Sequence, residues 1–417
     1  MSAMIKNREN NIIAGLDIGT SKVVAIVGQV QPDSGLEIIG MGQHISKGLR
    51  KGVVANIEST VNSIQSAVEE AELTADCRIN SVFAGIAGAH ISSLNSQGVV
   101  AIRDEEVDAA DIERVIEAAR AQAIPNDQRV LHILPQDFII DGQEGVREPI
   151  GMSGVRLEAK VHIITGALSA AQNIDKCIRR CGLEVDDLIL EQLASSYAVL
   201  DDDEKELGVC LVDIGGGTSD IAVFTEGAVR HTAVLPIAGD QITNDVAVAL
   251  RTPTQAAEEI KKKFAYAMAR LAPEGELIDT PSVGDRAPRK LALSQLVDVV
   301  EPRAEELFLL VQDELRRSAY EDLLGAGIVL TGGSSKMEGM VELAEEVFQL
   351  PVRLGVPHYT GTLSEVMRSP IYATGIGLLL FGHQYQSRPE TRRKVFGWAD
   401  QPIERMRSWF TKYFTEE

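Results

Sequence analysis

Two short segments, about two hundred residues apart, carry the same set of reactive groups. Residues 16–27 read LDIGTSKVVAIV and residues 211–224 read LVDIGGGTSDIAVF. Each sets an aspartate two residues before a glycine turn, follows the turn with a Thr-Ser pair, and flanks both with apolar runs. Glycines beside a strand let the backbone approach a ligand and present successive N–H groups to an anion. In the second segment Gly215, Gly216 and Gly217 remove the side chains that would block a phosphate, while Thr218 and Ser219 add hydroxyl donors. Asp213 stands where a carboxylate could orient the waters of Mg²⁺, an ion that keeps much of its hydration shell. In the first segment Asp17 offers a second carboxylate for Mg²⁺, and Gly19, Thr20, Ser21 and Lys22 a second donor cluster. Two such turns on facing domains would grip a polyphosphate from both sides. A single Asp-Gly turn also serves hairpins for purely conformational reasons; it is the duplication that argues for two related domains.

A third glycine turn lies in TGGSSKMEGM, residues 331–340. Gly332 and Gly333 end a strand-like run and begin a helix-like one, a geometry suited to an anion or nucleotide at a helix N-terminus. Neither GxxxxGK[ST] nor GxGxxG with its following acidic residue occurs, which disfavours P-loop and dinucleotide-binding folds.

These turns need strands to aim them. Residues 12–28 alternate like two strands around a turn, 36–45 like a third, 57–73 at helical spacing, and 79–88 like a strand again, an α/β order. Residues 89–162 differ in texture: a helix at 108–123 and the strand-like HILPQDFIIDG and EAKVHIITG suggest an inserted subdomain. Helices are expected at 169–181, at about 240–250 and at 254–271, with a Pro/Gly-rich surface loop at 273–288. A long helix over 292–319 is expected to break or restart at Pro302. GIVLTGGSSKMEGMVELAEEVF (327–348) reads as strand, turn, helix.

At 417 residues and 45% hydrophobic content, the chain can bury more than one core. Its net charge of −21 argues against non-specific nucleic-acid binding, which needs a basic face. The four cysteines show no disulfide density, which fits a reducing cytosol. Cys177 and Cys181 share a helical spacing and read as apolar fillers rather than metal ligands, with no histidine nearby. The seven histidines are scattered without catalytic spacing. The N-terminus lacks an apolar signal region, and the longest apolar stretch, near 371–381, falls short of the about 20 residues a bilayer requires.

The end of the chain breaks with the acidic body. Residues 387–401 are polar, basic and contain Pro and Gly, as a flexible linker would. On a helical projection of PIERMRSWFTKYF (402–414), Ile403, Met406, Trp409, Phe410, Tyr413 and Phe414 share one face. Arg405 and Lys412 border it on one side and Arg407 on the other. Such a helix could dock on the protein itself or on a partner; basic-flanked aromatics also suit an anionic membrane surface. A free helix this short is marginal in water and should order on binding.

Taken together, these motifs resemble the actin, heat-shock-70 and sugar-kinase superfamily over nearly the whole chain. DIGTSKV is similar to its first phosphate motif, LVDIGGGTSDIAV to its second, and IVLTGGSSKMEG, with Gly332, Gly333, Ser334 and Lys336, to its adenosine motif. LEQLASSYAVL and PIYATGIGLL resemble the two segments connecting the domains. AEEIKKKF (257–264) resembles the helix that packs on adenosine, which implies Glu258, Lys261 and Lys262 near base and ribose. Glu191 falls where relatives keep a polar residue near the attacking water; a hinge hydrogen bond alone is the other reading.

The inserted block and the amphipathic tail narrow the resemblance to the FtsA family of bacterial cell-division proteins, as do SKGLRKGVVANIE (46–58) and VEPRAEEL. That resemblance implies an actin-like, ribonuclease H-like duplicated two-domain ATPase fold with an inserted subdomain 1C and a C-terminal amphipathic helix. The implied boundaries are 1A over 1–85, 164–200 and 358–385, and 1C over 86–163. Subdomain 2A then takes 201–227 and 305–357, 2B takes 228–304, the linker 386–401 and the anchor 402–417. It further implies ATP and Mg²⁺ as ligands, with weak hydrolysis at most, and self-assembly into filaments. The expected place is the cytoplasmic face of the inner membrane at the division site. Expected partners are the FtsZ tail on 2B, with Arg286 and Arg303 as candidate contacts or ordinary surface arginines, and later division proteins through 1C. The alternatives are a PilM-like pilus-assembly homologue, or a small-molecule kinase, which would gain nothing from an amphipathic tail. A heat-shock-70 chaperone would need a further substrate-binding domain.

Overall fold

The computed structural model describes residues 11–387 apart from 32–34, 285, 360 and 362. The expected anchor helix, with Ile403, Arg405, Met406, Arg407, Trp409, Phe410, Lys412, Tyr413 and Phe414, lies outside the described residues, as does the linker beyond Ser387.

The chain forms two compact units, one from the residues up to 92 with 169–383, the other built on Ser93–Leu168. The first unit contains the duplication in full. One five-stranded sheet runs, in spatial order, Glu184–Leu190, Ser81–Ile86, Ile12–Ile18, Lys22–Gln31 and Gly35–Ile45. The other runs Val352–Leu354, Gly327–Thr331, Val209–Ile214, Ser219–Thr225 and Ala228–Leu235. In each, the first strand in sequence pairs antiparallel with the next and parallel with a strand that returns through a helix. Both first strands are buried along nearly their whole length, which explains their continuous apolar runs. The aspartates therefore sit at equivalent places: Asp17 opposite Val24 and Asp213 opposite Asp220, one residue from the strand end.

The helix Ile57–Ala75 covers the first sheet; Asn56 caps its start by accepting from the Ser59 N–H at 2.9 Å. Two helices, Glu191–Val199 and Ala373–Ser387, link the halves. They touch backbone to backbone, since a Cβ on Gly377 would collide with the Ala194 carbonyl. Gly377→Val should therefore cost on the order of 3 kcal/mol, read as a lowered thermal midpoint. An unchanged midpoint would mean that the two helices do not meet there.

Several expectations are corrected. Pro302 does not break its helix, which runs unbroken over Leu293–Ser318. Pro302 is exposed, so water can satisfy the carbonyl it leaves without a partner. On one side Leu293, Leu296, Val297 and Val300 enter a small core with Ile242, Val246 and Ile260. On the other Ala304, Leu307, Phe308, Val311 and Leu315 enter the second sheet's core. Burial on both sides offsets the about 3 kcal/mol an interior proline costs. The helix expected at 254–271 ends at Phe264, because Ala267 N–H leaves to pair with the Glu338 carbonyl at 2.8 Å. The loop at 273–288 contains a strand, Leu277–Thr280, paired with Arg289–Ala292. The strand Ala228–Leu235, placed in 2B from sequence, belongs to the second sheet.

In the second unit the sheet order is Ser92–Ala101, Arg156–Ala167, Gln128–Ile140 and Gln143–Val146. The helix Ala109–Arg120 opens with a reciprocal Asp108–Asp111 capping box and buries Ile112, Val115, Ile116 and Ala119 against Leu157, Val161 and Ile163.

Candidate functional site

The two duplicated turns open onto one cavity of about 740 Å³ in the first unit. Asp17, Gly19, Thr20, Ser21 and Lys22 line it from the first turn, and Asp213, Gly215, Gly216, Gly217 and Thr218 from the second. Gly332, Gly333, Ser334 and Lys336 of the third turn, Glu258, Lys261 and Lys262, and Glu191 complete the sequence-selected set. Arg286 and Arg303 are not among its lining residues. Arg286 is exposed, and Arg303 is held by Asp245 at 2.5 Å and by Glu306.

The glycines are required by how closely the turns approach. A Cβ on Gly216 would overlap Ser21 Oγ of the opposite turn, and one on Gly217 would lie 2.6 Å from Thr20 Oγ1. Gly332, at φ +84°, has no room for a side chain against Asp213. The backbone is tied as well: Gly215 accepts from Ser334 Oγ at 2.8 Å and from the Gly239 N–H at 3.2 Å, and Gly216 from the Asp240 N–H at 2.8 Å. Gly52 N–H, from a short hairpin, donates to Thr20 Oγ1 at 3.2 Å.

The third turn departs from expectation. Gly332–Gly333 opens a single 3-10 turn, Gly333–Lys336, and the α-helix begins only at Met340. The cavity thus meets a tight turn rather than a long helix dipole. Lys261 is also more enclosed than its motif implies. Its ammonium donates to the Gly239 carbonyl at 2.9 Å and to Thr243 Oγ1 at 2.8 Å, and pairs with Glu258 at 2.7 Å. Those contacts use its three N–H groups. Lys262 also pairs with Glu258, at 3.4 Å, but is well exposed.

The electrostatics are dominated by buried acids. Burial pushes Asp17 up to about 6, with Lys22 opposing and Asp213 adding to the rise. Burial likewise raises Asp213, against hydrogen bonds from Ser195 Oγ (2.6 Å) and Thr374 Oγ1 (3.3 Å). Glu191 is raised well above the carboxylate range by burial and then by Asp17, Asp220 and Asp213. Its side chain fills the space that Gly85 leaves, 3.1 Å from where a Cβ there would stand. Lys22 is lowered to about 8 by burial, with Asp17 and Asp213 opposing.

Sequence reasoning missed four participants: Asp220, Ser195, Thr374 and Tyr372. Asp220 is 3% exposed and is pushed up to about 8 by burial first and Asp213 second. Thr218 Oγ1 donates to its Oδ2 at 2.9 Å, while its Oδ1 is buried without a partner. An acid directly before the apolar run Ile221–Phe224 was a signal available in the sequence; that it stands opposite Asp213 is decided by the strand register. The other three lie in the connecting segments, where nothing local marks them.

The comparisons with known proteins agree with this architecture. Residues 210–377 match the family model for cell division protein FtsA, and residues 88–165 match the model for the SHS2 domain inserted in FtsA. The chain is 69% identical to the cell division protein FtsA of Pseudomonas aeruginosa over 384 residues, 92% of each chain. It is 45% identical to that of Escherichia coli over 420 residues, 99% of this chain and 100% of the relative. Among solved structures it resembles the PilM-PilN type IV pilus biogenesis complex, with TM-score 0.65 at 18% identity, covering 89% of this chain and 98% of that one. It also resembles MreB5 of Spiroplasma citri bound to ADP, with TM-score 0.53 at 14% identity, covering 90% and 97%. At such identities these two structures speak to the fold alone, which is actin-like. With a duplicated α/β body, an inserted domain and near full-length identity to curated relatives, the chain belongs to the FtsA family of cell division proteins.

Proposed function

We propose that this protein binds ATP with Mg²⁺ between its two glycine turns, assembles into filaments on the cytoplasmic membrane, and tethers FtsZ filaments there at the division site. The observation that carries the nucleotide reading is the closure of two related turns, each bearing a buried aspartate, on a single cavity. MreB5, of the same fold, is described in its ADP-bound form.

The residues present fit a metal–nucleotide pair. Asp220 Oδ1 is buried without a partner, and four acids crowd the site, with the half-buried Lys22 opposing the rise of Asp17 and Asp213. Added positive charge would relieve that repulsion. No group of three or more ligating side chains occurs among the described residues, so Asp17 and Asp213 would hold Mg²⁺ through its waters. The metal's contribution is to offset phosphate charge. Gly215–Gly217 and Gly19–Ser21 would supply backbone and hydroxyl donors to the phosphates, with Lys22 adding charge. Gly332, Gly333, Ser334, Lys336, Glu258 and Lys262 would hold the adenosine, with Lys261 bracing Gly239 and Thr243. Glu191, raised by burial and by Asp17, Asp220 and Asp213, would orient the attacking water if hydrolysis occurs. Hydrolysis would be weak, with ATP acting mainly as a structural ligand.

The inserted unit would meet later division proteins, and the FtsZ tail would dock on 2B. There Arg286 is the more accessible candidate, since Arg303 already pairs with two acids. No helix among the described residues is long and apolar enough to cross a membrane. The anchor would be the segment 402–417, and many weak anchors on one filament bind far better than one. Electron microscopy of the protein with ATP on an anionic lipid monolayer tests this reading. Wild type should form surface filaments; Trp409→Glu, or loss of the last 15 residues, should abolish them while ATP binding persists. Undiminished filaments on the monolayer with Trp409→Glu would remove the tail as the anchor.

A further inference from the structure

Lys22 comes from the first glycine turn and Asp213 from the second, on different sheets, yet one short stretch of chain meets both. Lys22 Nζ donates to the Ile371 carbonyl at 2.5 Å and lies 4.8 Å from the centroid of the Tyr372 ring. Two residues on, Thr374 Oγ1 donates to Asp213 Oδ2 at 3.3 Å and lies 3.1 Å from Ser195 Oγ, which donates to the same carboxylate oxygen. Ile371 and Tyr372 belong to the 3-10 turn Pro370–Tyr372, which leads straight into the helix Ala373–Ser387.

We propose that residues 370–374 form a positioning element for the phosphate end of the site, in which Tyr372 acts through Lys22 and Thr374 through Asp213. This rests on the nucleotide reading above. An ammonium on a long, flexible stem loses much freedom when it is held in one place. The ring face attracts it without consuming a donor. The Ile371 carbonyl takes one N–H, so two remain to meet a phosphate. Lys22 is half-buried, and loss of water around it disfavours its charge, so what faces it decides how well that charge is held. Ring and carbonyl together keep the ammonium beside the turn before any ligand arrives, which lowers the ordering cost of binding. Thr374 and Ser195 do the same for Asp213 by fixing one carboxylate oxygen.

The test is a double-mutant cycle read by calorimetric titration with MgATP, with thermal melting to show that each variant is folded. Tyr372→Leu and Tyr372→Met, which remove the ring, should each bind MgATP about tenfold more weakly. Tyr372→Phe keeps the ring and should restore affinity to within about twofold of wild type. Lys22→Met should bind more weakly still, and Lys22→Met combined with Tyr372→Leu should be no weaker than Lys22→Met alone. Losses that multiply in the double mutant would show that Tyr372 supports the fold and does not act through Lys22. Wild-type affinity in both ring-less variants, or in Lys22→Met, would overturn the inference and leave the nucleotide reading standing. A wild-type protein that takes up no MgATP would overturn both.

Discussion

Gly216→Val should abolish measurable MgATP binding, with affinity lowered by at least about 100-fold, the equivalent of about 2.7 kcal/mol. The cause is steric and sits in the protein itself. The Cβ would overlap Ser21 Oγ and still lie 3.2 Å from Ser21 Cβ once that hydroxyl turned away, with Asp240 Oδ1 3.4 Å off on another side, so the two further methyls of valine would force the turns apart. Because Ser21 and Gly216 belong to opposite halves, separating them widens the space that must close on a phosphate chain. The overpacking should also lower the thermal midpoint, at a cost of about 1–3 kcal/mol. Gly333→Ala is the informative contrast. There a Cβ would meet only Ile371 Cγ1, at 3.8 Å, so the protein has room for it. Any loss of affinity in that variant reports on the ligand, not on the fold. Titration calorimetry on both settles the matter: wild-type affinity in Gly216→Val would take the paired turns out of the site.

Asp220→Asn should stabilise the nucleotide-free protein at alkaline pH and weaken MgATP binding about tenfold, the usual scale for one charged contact. The sign follows from proton linkage. Burial and Asp213 raise Asp220 from an ordinary value of 3.8 to about 8 in the folded state. Between those values the folded protein holds more protons than the unfolded chain, so stability falls as pH rises through the window. Asp17, raised to about 6, adds to the same slope at its lower end. The acids face one another, so the midpoint observed belongs to the cluster rather than to one residue. Replacing Asp220 by its neutral isostere removes its share. The variant's thermal midpoint should match wild type near pH 4 and exceed it by a few degrees, about 2–4 °C, near pH 8.5. MgATP should narrow that gap, because added positive charge favours the ionised acids. A midpoint difference that is constant with pH would show that Asp220 carries no displaced proton.

The sequence by itself determined the duplication, because a strand's hydrophobic run and a glycine turn are local features that survive without neighbours. It also determined the family, since the two Asp-Gly turns, the inserted block and the tail occur together and in order. The residues picked from the three turns and the 257–264 helix line one cavity, because each lies at the end of a strand or on a helix whose direction the pattern sets; Ser219 is the exception, fully buried with its Oγ donating to the Ile237 carbonyl at 2.7 Å. What the sequence could not decide were events between distant segments. Pro302 reads as a breaker until burial of Val297 and Val300 on one side and Ala304 and Leu307 on the other holds the helix together. Lys261 reads as a ligand contact until Gly239, Thr243 and Glu258 are seen to use its donors. Ser195 and Thr374, 179 residues apart, reach the same carboxylate, and Ile371 meets Lys22 across 349 residues. Local pattern names the groups that can bind charge, but the proton each one holds depends on burial and on its neighbours in space. Those only the tertiary structure decides.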